Sequence, residues 1–180
     1  LLRIDHFRGL EAYWEIPASA ETAVAGRWRL APGDELFRAL RAEFGRLPLV
    51  AEDLGIITPE VEALRDTHGL PGMKVLHFAF GGGADNPYLP HNHVLNSVVY
   101  TGTHDNNTTL GWFEELDEQT RAHLFDYLGG DPKLMPALLA RCAFASVARL
   151  AVVPMQDVLA LGGEHRMNRP GVADGCWRWR

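Results

Sequence analysis

Cysteine is scarce in this chain: Cys142 and Cys176 are the only two among 180 residues. Neither stands in a CxxC pair, so neither a disulfide framework nor a structural metal site is expected. Cys142 falls in LLARCAFASVARL, a helix-like apolar run where cysteine acts as a small hydrophobe, and a reducing, cytoplasmic setting is the expectation. No apolar run reaches the roughly 20 residues needed to cross a bilayer, which removes a membrane partner. Basic blocks are missing as well. The 17 Lys and Arg are interspersed with 23 Asp and Glu, for a formal net charge of −6, so no nucleic acid is expected to bind. No glycine-rich phosphate turn follows a candidate strand, which argues against a nucleotide-binding doubly wound sheet. The start, LLRIDHFRGL, has neither a Met nor a charged leader with an apolar stretch behind it. It reads as the inside of a strand entering a polar cluster, and the chain is expected to begin within a larger protein.

What is present is an alternation of short apolar runs with helical segments. Strands are expected at Leu1–Ile4, Leu47–Ala51, Met73–Phe80, Asn96–Thr101 and Ala151–Met155. Helices are expected at Asp34–Arg46 with Asp34 as cap, after the cap Thr58 up to Gly69, and at Asn107–Leu116, Glu118–Leu128 and Pro136–Leu150. Glu11–Pro32 reads as a long connection and the Gly/Pro/Arg-rich tail as loop. Strand alternating with helix predicts βαβ units, an α/β class and a parallel sheet. Polar groups cluster where such strands end: Asp5, Glu52, His104-Asp105 and Asp157. In parallel α/β folds functional groups stand at those ends. A (β/α) barrel is the better reading, with about five of the eight strands that closure needs.

The chemistry is carried by three acids. Arg3 and Asp5 lie two apart on a strand and so share a side. The guanidinium then favours the ionised carboxylate, as a nucleophile requires; a structural ion pair is the competing reading. Glu52 emerges from the apolar run LPLVA. Burial and nearby carboxylates push such a group upward, as a general acid requires; a solvated Glu-Asp turn is the alternative, with Asp53 pointing elsewhere. Asp105 lies in TGTHDNNTT, where an Asx-rich helix-capping turn, with Asn107 or Thr108 as cap, competes with a catalytic role. Two carboxylates about 5 Å apart permit a double displacement with retention at a sugar's anomeric carbon, and a third can steady the oxocarbenium-like transition state. Trp14, Trp28, Tyr88 and Trp112 offer flat faces for sugar rings or simply pack; Trp14 is the strongest platform candidate. His91 and His93 are expected to hydrogen-bond within a loop rather than bind metal. No metal is expected at His104 either.

The segments RIDHFRGLEAYWEIP, LPLVAEDLGIITPEV, GMKVLHFAF, NSVVYTGTHDNNTTLGW and PMQDVLALGGEHRMNRPG resemble, in combination and over essentially the whole chain, the amylomaltases. These are the 4-α-glucanotransferases or disproportionating enzymes of glycoside hydrolase family 77, in the α-amylase clan. The resemblance implies a partial (β/α)8 TIM barrel, approximately strands 4 to 8 with their helices, so that residues 1–180 form the C-terminal portion of one catalytic domain, without its first strands. It implies Asp5 as nucleophile, Glu52 as general acid/base and Asp105 as transition-state stabiliser. Arg3, His6, Trp14 and His104 are implied as substrate-site residues. Donors would be α-1,4-glucans and maltooligosaccharides, acceptors glucose or maltooligosaccharides, and no cofactor is implied. A hydrolase of the same clan and a non-catalytic glucan-binding remnant remain the other readings. Asn107, His77, Ala31 and Cys176 depart from the residues usual in the family at those positions, but no carboxylate of the set is lost. Cut this way, a barrel keeps unpaired strand edges, and the 180-residue segment alone is expected to be inactive.

Overall fold

The computed structural model describes residues 1–180, which divide into two compact units, Leu1–Met73 and Lys74–Arg180. The first contains strand β1 (Leu2–Ile4), the strands β2 (Ala12–Glu15) and β3 (Arg27–Leu30), helix α1 (Gly33–Phe44), strand β4 (Leu49–Ala51) and helix α2 (Pro59–Thr67). β1 and β4 pair in parallel, with Leu2 opposite Leu49, Arg3 opposite Val50 and Ile4 opposite Ala51. Parallel strands need a crossover of a dozen residues or more, and α1 lies in this one. Its buried Phe37 stacks on Phe7 with ring centroids 5.8 Å apart. The two rings form a core with Leu49, Ala51, Val61 and Leu70. Burying each phenylalanine stabilises the unit by about 2–3 kcal/mol.

Three local expectations are corrected here. α1 starts one residue early, with Pro32 at the cap position and Asp34 in the first turn. There Asp34 still complements the positive helix end, and it bonds Arg38 and His68 instead of capping. The early start needs Gly33, because a Cβ there would run into the Leu10 carbonyl oxygen. Thr58 does hold the N-cap of α2, but its hydroxyl takes no bond from the helix N–H groups. The expected long connection Glu11–Pro32 is in fact an antiparallel pair, β2 with β3, in which Trp14 faces Trp28 and Glu15 faces Arg27. Cross-strand pairs of aromatic and of opposite charge stabilise such a ribbon. The rings meet edge to face at 5.4 Å, and Glu15 takes bonds from both Arg27 and Arg29.

The second unit is built on a sheet of order β5-β6-β7, where β5 is Gly72–Val75 at the division between the units, β6 is Ser97–Tyr100 and β7 is Leu150–Val152. β6 and β7 are parallel, Val98 opposite Leu150 and Tyr100 opposite Val152. Helices α3 (Thr109–Glu115), α4 (Glu118–Leu128), α5 (Ala137–Phe144) and the short α6 (Met155–Val158) follow the chain. Leu76, Phe80, Leu89, Val99, Leu124 and Leu139 form the core. The strand expected over Met73–Phe80 stops at Val75 and turns into a 3-10 segment, Leu76–Phe78. α5 ends at Phe144, well before Leu150, and leaves β7 free to begin there. The chain is thus a mixed α/β structure. No helix in it is long and apolar enough to cross a membrane.

Candidate functional site

In the first unit the acids stand one residue past the last paired position of β1 and β4. The ladder runs on beyond the strands: Glu52 N–H bonds the Ile4 carbonyl at 3.0 Å, and Phe7 N–H bonds the Glu52 carbonyl at 3.1 Å. Asp5 and Glu52 are therefore neighbours across two adjacent strands, whose backbones lie about 4.8 Å apart in any sheet. Arg3 donates to Asp5 Oδ1 at 2.7 Å, as the two-residue spacing predicts, and the Asp5 side chain is 77% exposed. An ion pair this open adds little stability, so it leaves the carboxylate free to act.

Glu52 is half-buried, and both its oxygens are held by backbone. His6 N–H donates to Oε2 at 2.7 Å and Leu54 N–H to Oε1 at 3.2 Å. Burial raises its pKa above the ordinary glutamate value, and the Asp5 carboxylate pushes in the same direction. The two N–H groups and Arg3 oppose the rise without cancelling it. Adjacent carboxylates in different surroundings, one open and paired with a cation, the other part-dry, are the arrangement that separates nucleophile from acid. His6 makes its bond at a turn of left-handed backbone, φ 49° and ψ 51°, a conformation that costs a non-glycine residue about 1–2 kcal/mol.

Asp53, next in sequence, points elsewhere as expected. It accepts from Met73 N–H at 2.7 Å and from Arg65 at 2.6 Å, and its side chain is almost fully buried. The buried Asp157 of the second unit plays the same kind of part. It takes the hydroxyls of Thr101 at 2.6 Å and Thr109 at 2.7 Å, and the N–H of Thr109 at 2.7 Å. Of the strand-end acids, these two are consumed by the fold.

Asp105 is not. It lies in the turn between β6 and α3, its side chain 48% exposed. Thr108, as foreseen, caps α3 by accepting from Gly111 N–H at 3.1 Å, so Asp105 is free of that duty. Its Oδ1 accepts from the Asn168 amide at 2.6 Å, its backbone carbonyl accepts from Arg166 at 2.6 Å, and Oδ2 lies 3.4 Å from His104 Nε2. The His104 ring meets Trp177 at 5.3 Å. Arg166, Asn168 and Trp177 were missed by the reading of the tail as loop. A segment with neither period nor capping signal gives no indication of what it folds against. A cavity of about 290 Å³ opens beside this turn, lined by Asn106, Asn107, Met155, Arg166 and Trp179 among others.

The remaining candidates separate cleanly. Trp14 is 40% exposed on β2 and fixed by its indole N–H on the Ala23 carbonyl at 2.9 Å. Trp112 stacks flat on His77 at 4.5 Å against the core, and Tyr88 packs on Phe78; both serve packing. His91 bonds Tyr127 and the Ala84 carbonyl, while His93 bonds Ser146 and the Tyr88 carbonyl. These are hydrogen-bonding loop histidines, as their setting suggested. Cys142 is partly buried, its thiol pushed up to about 11 by that burial, as befits a small hydrophobe.

A family model for 4-alpha-glucanotransferase matches residues 1–180. The chain belongs to that family. Among its relatives, the 4-alpha-glucanotransferase of Thermus thermophilus is 57% identical over 188 residues, which take in 100% of this chain and 38% of that protein. The chloroplastic/amyloplastic 4-alpha-glucanotransferase of Arabidopsis thaliana is 49% identical over 99% of this chain and 31% of its own length. The chain therefore spans well under half of the curated relatives it matches. Among solved structures, the amylomaltase from Streptococcus agalactiae in complex with acarbose superposes with a TM-score of 0.92 at 39% identity, covering 99% of this chain and 36% of that one. The amylomaltase from Corynebacterium glutamicum, at 19% identity and a TM-score of 0.71, shares the fold.

Proposed function

We propose that this 4-alpha-glucanotransferase family chain carries the catalytic carboxylates of an enzyme that moves maltooligosaccharyl units between α-1,4-glucans by double displacement. Asp5 attacks the anomeric carbon. Glu52 protonates the departing glycosidic oxygen and then, as a carboxylate, takes the proton of the acceptor's 4-hydroxyl. Asp105 steadies the positive charge that develops on the sugar ring. The observation that carries this reading is the pair at the ends of β1 and β4: an open, Arg3-paired Asp5 beside a half-buried Glu52 whose pKa burial raises. Retention requires two carboxyl groups roughly 5 Å apart, and the placing of Asp5 and Glu52 side by side, each one residue past a paired strand, supports that arrangement. Arg3 orients the nucleophile, and His6, Trp14 and His104 border the sugar. Glucose or a maltooligosaccharide is the acceptor.

The fold fits the same reading. Parallel pairs β1–β4 and β6–β7, each joined through helices, with acids just past the strand ends, are what strands 4 to 8 of a (β/α)8 barrel present. Residues 1–180 are then the later part of one catalytic domain, at work in the cytoplasm. The test uses the full-length polypeptide encoding this segment. Fed maltotriose, it should release glucose and build a ladder of longer oligomers. Glucose and maltose without longer products would mean hydrolysis and refute transfer.

A further inference from the structure

We infer that the segment Arg166–Trp177 is a positioning element for the Asp105 turn, with Asn168 as the residue that orients the Asp105 carboxylate. The inference rests on the reading of Asp105 as the transition-state stabiliser.

Three contacts converge. The Asn168 amide donates to Asp105 Oδ1 at 2.6 Å. The Arg166 guanidinium donates from Nη2 to the Asp105 backbone carbonyl at 2.6 Å and from Nε to the carbonyl of Asn168 at 2.7 Å. One planar fork thus holds the backbone of both partners, a geometry that arginine provides and lysine lacks. Trp177 closes the segment on itself, its N–H on the Met167 carbonyl at 2.7 Å, and lays its ring against His104. Trp177 does so at φ 62°, a left-handed conformation that a non-glycine residue keeps only where surrounding contacts enforce it. Within the turn itself, support for Asp105 is slight: Thr103 Oγ1 accepts its N–H at 3.3 Å, and the adjacent His104 ring stands 3.4 Å from Oδ2. The rotamer of an exposed aspartate is free unless a partner holds it. Here the partner comes from 63 residues downstream.

Chemistry sets what the amide does. An amide donor fixes Oδ1 without adding charge, so the whole negative charge stays available to the sugar. It also points Oδ2 toward His104. A carboxylate in the place of the amide would repel Asp105, and one of the two would hold its proton to higher pH.

The experiment compares Asn168→Ala, Asn168→Asp and Asp105→Asn in the full-length polypeptide, by steady-state transfer from maltotriose across pH. Asn168→Ala should lower kcat by about ten- to a hundredfold with KM changed less than threefold, because the lost orientation is felt at the transition state. Asn168→Asp should move the acidic limb of the kcat profile to higher pH, a shift that mere loosening of the tail does not produce. If Asp105→Asn is inactive while both Asn168 variants keep the parent kcat and pH profile, the positioning role is overturned and the reading of Asp105 stands. If Asp105→Asn turns over normally, the underlying reading has failed. Loss of soluble protein or of thermal stability in Asn168→Asp with an unmoved pH limb also overturns the inference.

Discussion

The two units hold Glu52 and Asp105 by different means. Glu52 is gripped by main-chain N–H groups, one at the turn that leaves β1 and one two residues on. Asp105 is gripped by side chains that reach it from a distant tail. Main-chain donors come with the fold and survive almost any substitution, so the first unit's geometry is as durable as the β1–β4 pairing. Side-chain donors can be lost one at a time, which leaves the second unit's acid open to tuning. Each unit also has a second acid, Asp53 or Asp157, that is buried and fully bonded. Position at a strand end thus supplies two roles, and burial with its donors decides which acid takes which.

The largest effects should come from the two acids of the proposed double displacement. In the full-length polypeptide Glu52→Gln should cost about 10²–10⁴-fold in kcat, and Asp5→Asn at least as much, with secondary structure by circular dichroism unchanged. Turnover near the parent rate in either variant would end the distinction between Asp5 and Glu52 on one side and the structural Asp53 on the other. Next come the consumed ones. Asp53→Ala removes the buried partner of Arg65, which keeps only the exposed Asp66, and also strands the Met73 N–H; it should destabilise by about 3 kcal/mol. Asp157→Ala strands two hydroxyls and an N–H and should cost about 3 kcal/mol. Urea midpoints measure both; a loss below about 1 kcal/mol in either would show that its bonds are ornamental to stability.

Much of this layout was legible in sequence because apolar runs end abruptly in acids, as LRID and LPLVAED do. What was not legible has physical causes. β2 and β3 are short and largely exposed, and their partners Trp14 and Trp28 are separated by Pro17 and a 3-10 turn rather than a two-residue hairpin signal. The run MKVLHFAF is apolar except for Lys74 and His77, three apart, so periodicity could not mark where β5 gives way at Leu76 to a turn that carries His77 inward. Asp53 and Asp157 look the same in sequence as Glu52 and Asp105. Only the donors folded around them, Arg65, Met73, Thr101 and Thr109, tell them apart.

A smaller, pH-dependent effect separates the units further. Burial pushes His77 down to about 3, and its Nδ1 has no partner. Because an unfolded histidine titrates near 6.5, the unfolded chain binds the extra proton between these values. Stability should fall as pH drops from 6.5 toward 3, by at most about 1.4 kcal/mol per pH unit. His77→Gln should flatten that slope, and urea titrations at pH 7 and pH 5 would reveal it; an unchanged slope would exonerate His77. The smallest effect belongs to the first unit. Arg8 lies over the Trp28 ring at 4.4 Å, and Arg8→Gln should loosen β2–β3 by about 0.5–1 kcal/mol, read as faster amide exchange at Trp14 and Trp28. Equal exchange rates would remove Arg8 from the account.

The Asp157 carboxylate has one more consequence. It binds Thr101 and Thr109, the residues on either side of the turn that bears Asp105, so a single side chain ties the neck of that turn like a drawstring. Residues 102–108 therefore form a cassette with fixed ends. A turn exchanged between these two threonines would keep its neck at Asp157 and would still have to meet Arg166 and Asn168 of the tail.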